Sequence, residues 1–400
     1  MPRTPKNLVA ERLAGIRASA TLAVSSQAAR LRAEGHDVIA FGAGEPDLET
    51  PEPVRDAAIQ AIQEGRGRYT AAAGLPELRK AVARKLAASG FDYSWKQVAM
   101  SAGAKSAIFE SLYVLLNPGE EVIFPSPHWN SYEDMVVAAG GVPVPVPTSR
   151  NAGFQVTAEE LASKVTPRTK VILVNSPNNP TGAVYTEETL AGIAAVAREY
   201  GLAIITDDIY EHLLYTGEPF RNVLSVAPDL AEQTVIVNGF SKSHSMTGWR
   251  LGYLAGPSAV VEAVIRLQSQ LAGNPNSIAQ HGALRGLSQP LDPARVRTYD
   301  ERRRLMLEGL RAIPGVRCTE PLGAFYTFPD LSAFLGRTHR SVPIESDETL
   351  VRLLLEEERV ATVPGTAFGA PGHIRLSYAC STPEIEEGLS RIRAFLSRLA

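Results

Sequence analysis

Between residues 97 and 255 the chain repeats one alternation: a short apolar run, often β-branched, then a helix-length stretch with apolar residues on one side. The runs predict strands at Gln97–Ser101, Glu121–Phe124, Val142–Val146, Lys170–Asn175, Ala203–Asp207, Thr234–Asn238 and Arg250–Ala255. Val171-Ile-Leu-Val174 and Val235-Ile-Val237 are apolar without interruption, as strands covered on both faces must be. Helices are predicted over Lys105–Leu116, where Ile108, Leu112 and Leu115 share one side, and over Thr186–Tyr200, where Leu190, Ile193 and Val196 recur at helical spacing. This order specifies an α/β fold on a mostly parallel sheet, a class that binds ligands beyond the carboxyl ends of its strands.

The last third reads differently. A helix over Pro293–Ile313 carries the basic run Arg302-Arg-Arg304, most simply a solvated face. A hairpin-like stretch (Gly323–Asp330), a helix (Asp347–Glu358), a strand (Ile374–Tyr378) and a helix (Pro383–Leu399) follow, which predicts a smaller α+β domain. A helix around Thr21–Glu34 and a strand at Asp37–Phe41 are candidates to join it. We therefore expect a large domain over 49–290 and a small one built from 1–48 and 291–400. At 400 residues, two units suit the chain better than a single core.

With 44% hydrophobic residues, 21% charged residues and a net charge of −3, nothing points to nucleic acid or a membrane as partner. Neither an apolar run of membrane-spanning length nor a signal-peptide pattern stands out. Cys318 and Cys380 make no disulfide framework and no CxxC metal pair, so a reducing cytoplasm is expected and no metal site.

The candidate chemistry clusters where the strands end. Lys242 lies in Asn238-Gly-Phe-Ser-Lys-Ser-His-Ser-Met-Thr-Gly-Trp-Arg-Leu-Gly252, closely flanked by small residues and followed eight positions later by Arg250. A lysine that must lose its proton to attack an aldehyde needs burial and nearby cations, and a guanidinium holds a phosphate with a bidentate fork. Together they suit pyridoxal phosphate; alone they also suit a surface loop. Asp207 closes a strand and would pair with a protonated pyridine nitrogen, or else cap a helix. Tyr210, three residues on, could reach the ring oxygen, as could Asn179 in the turn Asn175-Ser-Pro-Asn-Asn-Pro-Thr-Gly182. Ser101-Ala-Gly-Ala-Lys105 joins a strand to a helix through small residues, a ready phosphate cradle. Trp129 offers a flat face for stacking, although a core tryptophan is the commoner fate. Arg375, on an alternating strand, either faces solvent or captures a substrate carboxylate.

Taken together, these motifs resemble the class I aminotransferases, fold-type I pyridoxal-phosphate enzymes of the aspartate aminotransferase family. The resemblance runs from Gly44-Glu-Pro-Asp47 to Arg375. It implies a seven-stranded, mostly parallel sheet flanked by helices, with Lys242 as the cofactor-bonding lysine and general base. Asp207 would meet the ring nitrogen, Tyr210 and Asn179 the ring oxygen, and Trp129 the ring face. Gly103, Ala104, Lys105, Ser241 and Arg250 would hold the phosphate. Gly44 and Arg375 would take the substrate α-carboxylate. Tyr69, in Arg68-Tyr-Thr-Ala-Ala-Ala-Gly74, matches a tyrosine that the family lends to a neighbouring subunit, which implies a homodimer. The implied reaction is ping-pong transfer of an amino group between an amino acid and a 2-oxo acid.

Lys105 and Thr21 (in Ser19-Ala-Thr-Leu-Ala-Val24) match positions of the bacterial aspartate and prephenate branch, and favour a substrate with a distal carboxylate. Lys105 could instead merely neutralise the phosphate. His128, Asp208 and Gly239 depart from common family usage, which carries Tyr, Glu and Ser there. Aromatic or alanine aminotransferases and a lyase on the same cofactor are the alternatives. A cofactor-binding DNA regulator is disfavoured by the short N-terminal stretch and the negative charge.

Overall fold

The structure is a computed structural model that describes residues 8–400, so the first seven residues of the expected 1–48 span lie outside it. Its strands are β1 (Ile39–Ala40), β2 (Val98–Ser101), β3 (Glu121–Ser126), β4 (Val142–Pro147), β5 (Thr169–Asn175), β6 (Ala203–Asp207), β7 (Thr234–Gly239), β8 (Gly252–Ala255), β9 (Tyr326–Thr327), β10 (Thr338–His339), β11 (Val342–Pro343), β12 (Val360–Ala361), β13 (Val363–Pro364) and β14 (Ile374–Ser377). Seven of them form one sheet in the order β2-β8-β7-β6-β5-β3-β4. Only β8 runs against its neighbours. The predicted strand at Arg250–Ala255 begins two residues late, because Arg250 has a φ of 53° and the chain is still turning there.

The uninterrupted apolar runs are explained by this sheet. Val171 and Leu173 pack on one face with Val122, Ile205 and Val235, whereas Ile172 and Val174 pack on the other with Ile123, Ile204 and Ile236. Successive residues of a strand point to opposite faces, so a sheet covered by helices on both sides needs every position apolar. One of those covering helices, Glu187–Tyr200, starts at Thr186, whose hydroxyl accepts from the Thr189 N–H, and stops at Gly201 in the left-handed region.

A second core is drawn from both ends of the chain. Ile39 and Phe41 pack with Met306, Leu350, Leu376 and Phe395. β1 pairs with β12 in parallel, and the antiparallel set β13-β14-β9 lies alongside. The stretch Gly323–Asp330 is not a hairpin: Tyr326 and Thr327 pair with Ser377 and Leu376, distant in sequence. Nor is the basic run Arg302-Arg-Arg304 wholly solvated. Arg303 is buried between Asp300 and Glu320, Arg302 pairs with Asp47 at 2.9 Å, and only Arg304 projects into water. Asp47 and Glu320, from outside the helix, and Asp300, one turn back on it, neutralise the two inner guanidiniums.

Candidate active site

The sheet register brings the chemistry to one edge. Asn175, at the end of β5, sits opposite Asp207, at the end of β6, and Gly239 of β7 sits opposite Gly252 of β8. A cavity of about 640 Å³ opens there. Its lining includes Gly44, Lys105, Trp129, Asn179, Asp207, Tyr210, Lys242, Arg250 and Arg375. Segments from residue 19 to residue 375 therefore converge on one space.

Lys242 is partly buried where the chain turns back from β7 to β8, and its Nζ donates to the Gly44 carbonyl. Burial, reinforced by the Arg375 cation, lowers its pKa to about 8, against the pull of Glu45; Arg250 lowers it further. Asp207 is buried at the floor. Its Oδ2 accepts from the Tyr132 hydroxyl at 2.6 Å, and its backbone carbonyl accepts from Asn175 Nδ2 at 2.9 Å. Desolvation raises its carboxyl to about 6, while the Tyr132 hydrogen bond pulls the other way. The residues directly after Asp207 form a turn and not a helix, so the capping alternative falls. Beside it, Asp208 points into a separate polar nest of Thr206 and Asn222.

Arg375 is only 1% exposed, which rules out the solvent-facing alternative. One guanidinium nitrogen donates to Asn179 Oδ1 at 2.9 Å and another to the Gly42 carbonyl at 2.8 Å, while Nε has no partner. Tyr326 lies beneath it, with the ring centre 4.5 Å away, and also contacts the Tyr210 hydroxyl at 2.9 Å. Among the described residues no carboxylate pairs with Arg375, nor with Lys105, whose Nζ lies 4.7 Å from the Trp129 ring centre. Burial, with the nearby Arg250 charge, lowers the Lys105 pKa. Thr21 lines the cavity with its buried hydroxyl unpartnered.

The helix Ala104–Leu115 begins without a side-chain cap, leaving its first N–H groups available. Gly103 (φ 91°) admits the Arg250 guanidinium against it: a Cβ there would stand 2.7 Å from Nη2. Gly252 permits an even closer approach, since its Cβ would meet the Ala104 nitrogen at 2.5 Å. Ser241 is buried on the cavity wall. Of the predicted residues, Gly103 and Tyr69 do not line the cavity: Gly103 lies against the Arg250 guanidinium, which does, whereas Tyr69 stands 95% exposed on the surface.

Tyr132, Asn175 and Tyr326 are among the cavity residues that the sequence reading did not assign a role. Asn175 opens a turn already singled out and Tyr132 lies three residues after Trp129, but nothing marked either as facing the site. Tyr326 carried no local signal.

The class I and II aminotransferase family model matches residues 36–392. The aspartate aminotransferase of Geobacillus stearothermophilus is 44% identical, covering 98% of this chain and 100% of its own. The probable aspartate/prephenate aminotransferase of Aquifex aeolicus is 43% identical, over 98% and 99%. Among solved structures, the aspartate aminotransferase of Rhizobium meliloti superposes with a TM-score of 0.94 at 40% identity, covering 98% of this chain and 100% of that one. The Thermus thermophilus aspartate aminotransferase with maleate gives 0.91 at 41% identity, over 97% and 99%.

Proposed function

The chain belongs to the class I and II aminotransferase family, and from that membership we propose that it moves an amino group between aspartate or glutamate and a 2-oxo acid, with prephenate a further substrate. The observation that carries this specificity is that, with Lys242 and Arg250 assigned to the cofactor, two cations remain on the cavity, Arg375 and Lys105, neither matched by a carboxylate among the described residues. A dicarboxylate supplies two. The maleate in the Thermus enzyme is such a molecule, and several relatives are named for aspartate and prephenate.

The residues present fit pyridoxal phosphate. Glycines clear a cradle between an uncapped helix start and Arg250, a buried carboxylate lies on the floor, and the lysine is depressed towards its neutral form. In our reading Arg250, Ser241 and the N–H groups following Gly103 hold the phosphate. Asp207, fixed by Tyr132, would meet the ring nitrogen; Asn179 and Tyr210 would meet the ring oxygen, and Trp129 would cover the ring. Bound pyridoxal phosphate supplies an electron sink for the pair left when the substrate α-carbon loses its proton. Lys242 Nζ takes that proton, its lowered pKa keeping a useful fraction of the amine free near neutral pH. Arg375 fixes the α-carboxylate, and Lys105 with Thr21 receives the distal one. The cofactor unit spans 49–290, the smaller unit 1–48 and 291–400, and two chains form a dimer in which Tyr69 completes the partner's site. We place the enzyme in the cytoplasm. Among the described residues, no helix is long and apolar enough to cross a membrane.

Mixing the protein with aspartate and 2-oxoglutarate tests the reaction: equal amounts of oxaloacetate and glutamate are expected. Pyruvate and ammonia would mark a lyase instead. Lys105→Ala should reduce kcat/KM for aspartate by about tenfold or more, the scale of one lost charge-assisted contact, and for alanine or phenylalanine far less. A uniform loss would assign Lys105 to the phosphate alone.

A further inference from the structure

Tyr69 stands almost wholly in solvent, yet the six residues after it are fastened from below by two buried glutamines that do not line the cavity. Gln280, on the helix Ser277–Leu287, is 0% exposed. Its Oε1 accepts from the Leu75 N–H at 2.7 Å, and its Nε2 donates to the Pro275 carbonyl at 2.9 Å and to the Thr70 hydroxyl at 3.3 Å. Gln268, on the helix Ser258–Leu271, is 1% exposed; its Nε2 donates to the Ala72 carbonyl and to the Met100 carbonyl at 3.0 Å. Between these anchors the Met100 N–H donates to the Ala73 carbonyl at 3.0 Å, tying the loop to β2. Gly74 has a φ of 90°, and a Cβ there would stand 2.7 Å from Met100 Cβ and 2.9 Å from Gln280 Oε1. Only glycine lets the loop settle onto the glutamine.

Solvent exposure alone would leave a loop of small residues free to move, and ordering it would weaken any contact its tip makes. Here the order is built in. We propose that Gln280 and Gln268 are positioning residues that hold Tyr69 ready to contact the cofactor phosphate in a second copy of this chain. The proposal rests on the reading above, that Tyr69 completes the partner's site.

Dissociation of pyridoxal phosphate from the holoenzyme, followed by its absorbance, tests both. Tyr69→Phe removes one hydrogen bond to a charged group and should weaken retention by about tenfold. Gln280→Leu should weaken it similarly, and the double variant should be no worse than Tyr69→Phe alone, since the glutamine acts through the tyrosine. Gln280→Glu keeps the acceptor for Leu75 but removes the donor; it carries the same test should Gln280→Leu fail to fold. If Tyr69→Phe weakens retention while both Gln280 variants leave it unchanged, or if the losses multiply in the double variant, the positioning role is overturned. An unchanged Tyr69→Phe would overturn the shared-site reading and the proposal with it.

Discussion

At Lys242, packing rather than sequence neighbours sets the chemistry. Burial beside Arg375 and Arg250 brings the ammonium down to about 8, from 10.5 for a free lysine. Attack on the aldehyde of pyridoxal phosphate needs the neutral amine, whose fraction falls with each pH unit below that value. The rate at which cofactor-free enzyme takes up pyridoxal phosphate should therefore climb to about pH 8 and then level off. Stopped-flow absorbance across pH 6 to 10 checks this, and a rate still climbing past pH 10 would contradict it. Arg375 rests on a different argument. Its two bonds, to Asn179 and Gly42, leave Nε without a protein partner, so the guanidinium is held by neutral groups and keeps its charge for a ligand. Arg375→Lys loses the planar fork and should raise KM for amino acids by about tenfold to a hundredfold, leaving pyridoxal phosphate affinity within about twofold. Equal losses in both titrations would make Arg375 structural.

Among the elements, β8 and the helix Ala104–Leu115 matter most, because the cradle we propose for the phosphate lies where they nearly touch. Gly252 has no unusual backbone angle; what it needs is room, with the Ala104 nitrogen 2.5 Å and the Gly103 carbonyl carbon 2.6 Å from where a Cβ would lie. Gly252→Ala pushes backbone against backbone, a strain of about 1–3 kcal/mol. It should lower the thermal midpoint and also weaken pyridoxal phosphate binding by displacing the helix start from Arg250. A drop in Tm with unchanged cofactor affinity would separate the glycine from the cradle. The strand patterns were legible because two covered faces demand apolar residues at every position. The pairing of Tyr326 with Ser377 was not legible: a two-residue strand has no period, and its partner lies some fifty positions on.

Across the whole molecule, the two chain ends are sewn together by Arg391, which donates to the Asp37 carbonyl at 2.9 Å, reaches the Glu358 carbonyl at 3.3 Å and pairs with Glu387 at 2.7 Å. Arg391→Ala leaves backbone carbonyls short of donors beside the β1–β12 pairing and should cost about 1–3 kcal/mol in chemical denaturation. Arg391 does not line the cavity, so we expect an unchanged KM; a raised KM would show that this seam also shapes the site. The sequence by itself determined the α/β alternation, the order of the motifs and the chemical types needed for the cofactor: a lysine, an acid, an arginine and small residues at strand ends. These are local, set by periodicity and by which side chains can do which chemistry. The tertiary structure decided what faces what. It chose Tyr132 to hold Asp207, buried Arg375 instead of exposing it, neutralised Arg302 and Arg303 with nearby acids, and left Tyr69 on the surface above two glutamines. Burial and partner choice arise from contacts between distant segments, and no window of neighbouring residues contains them.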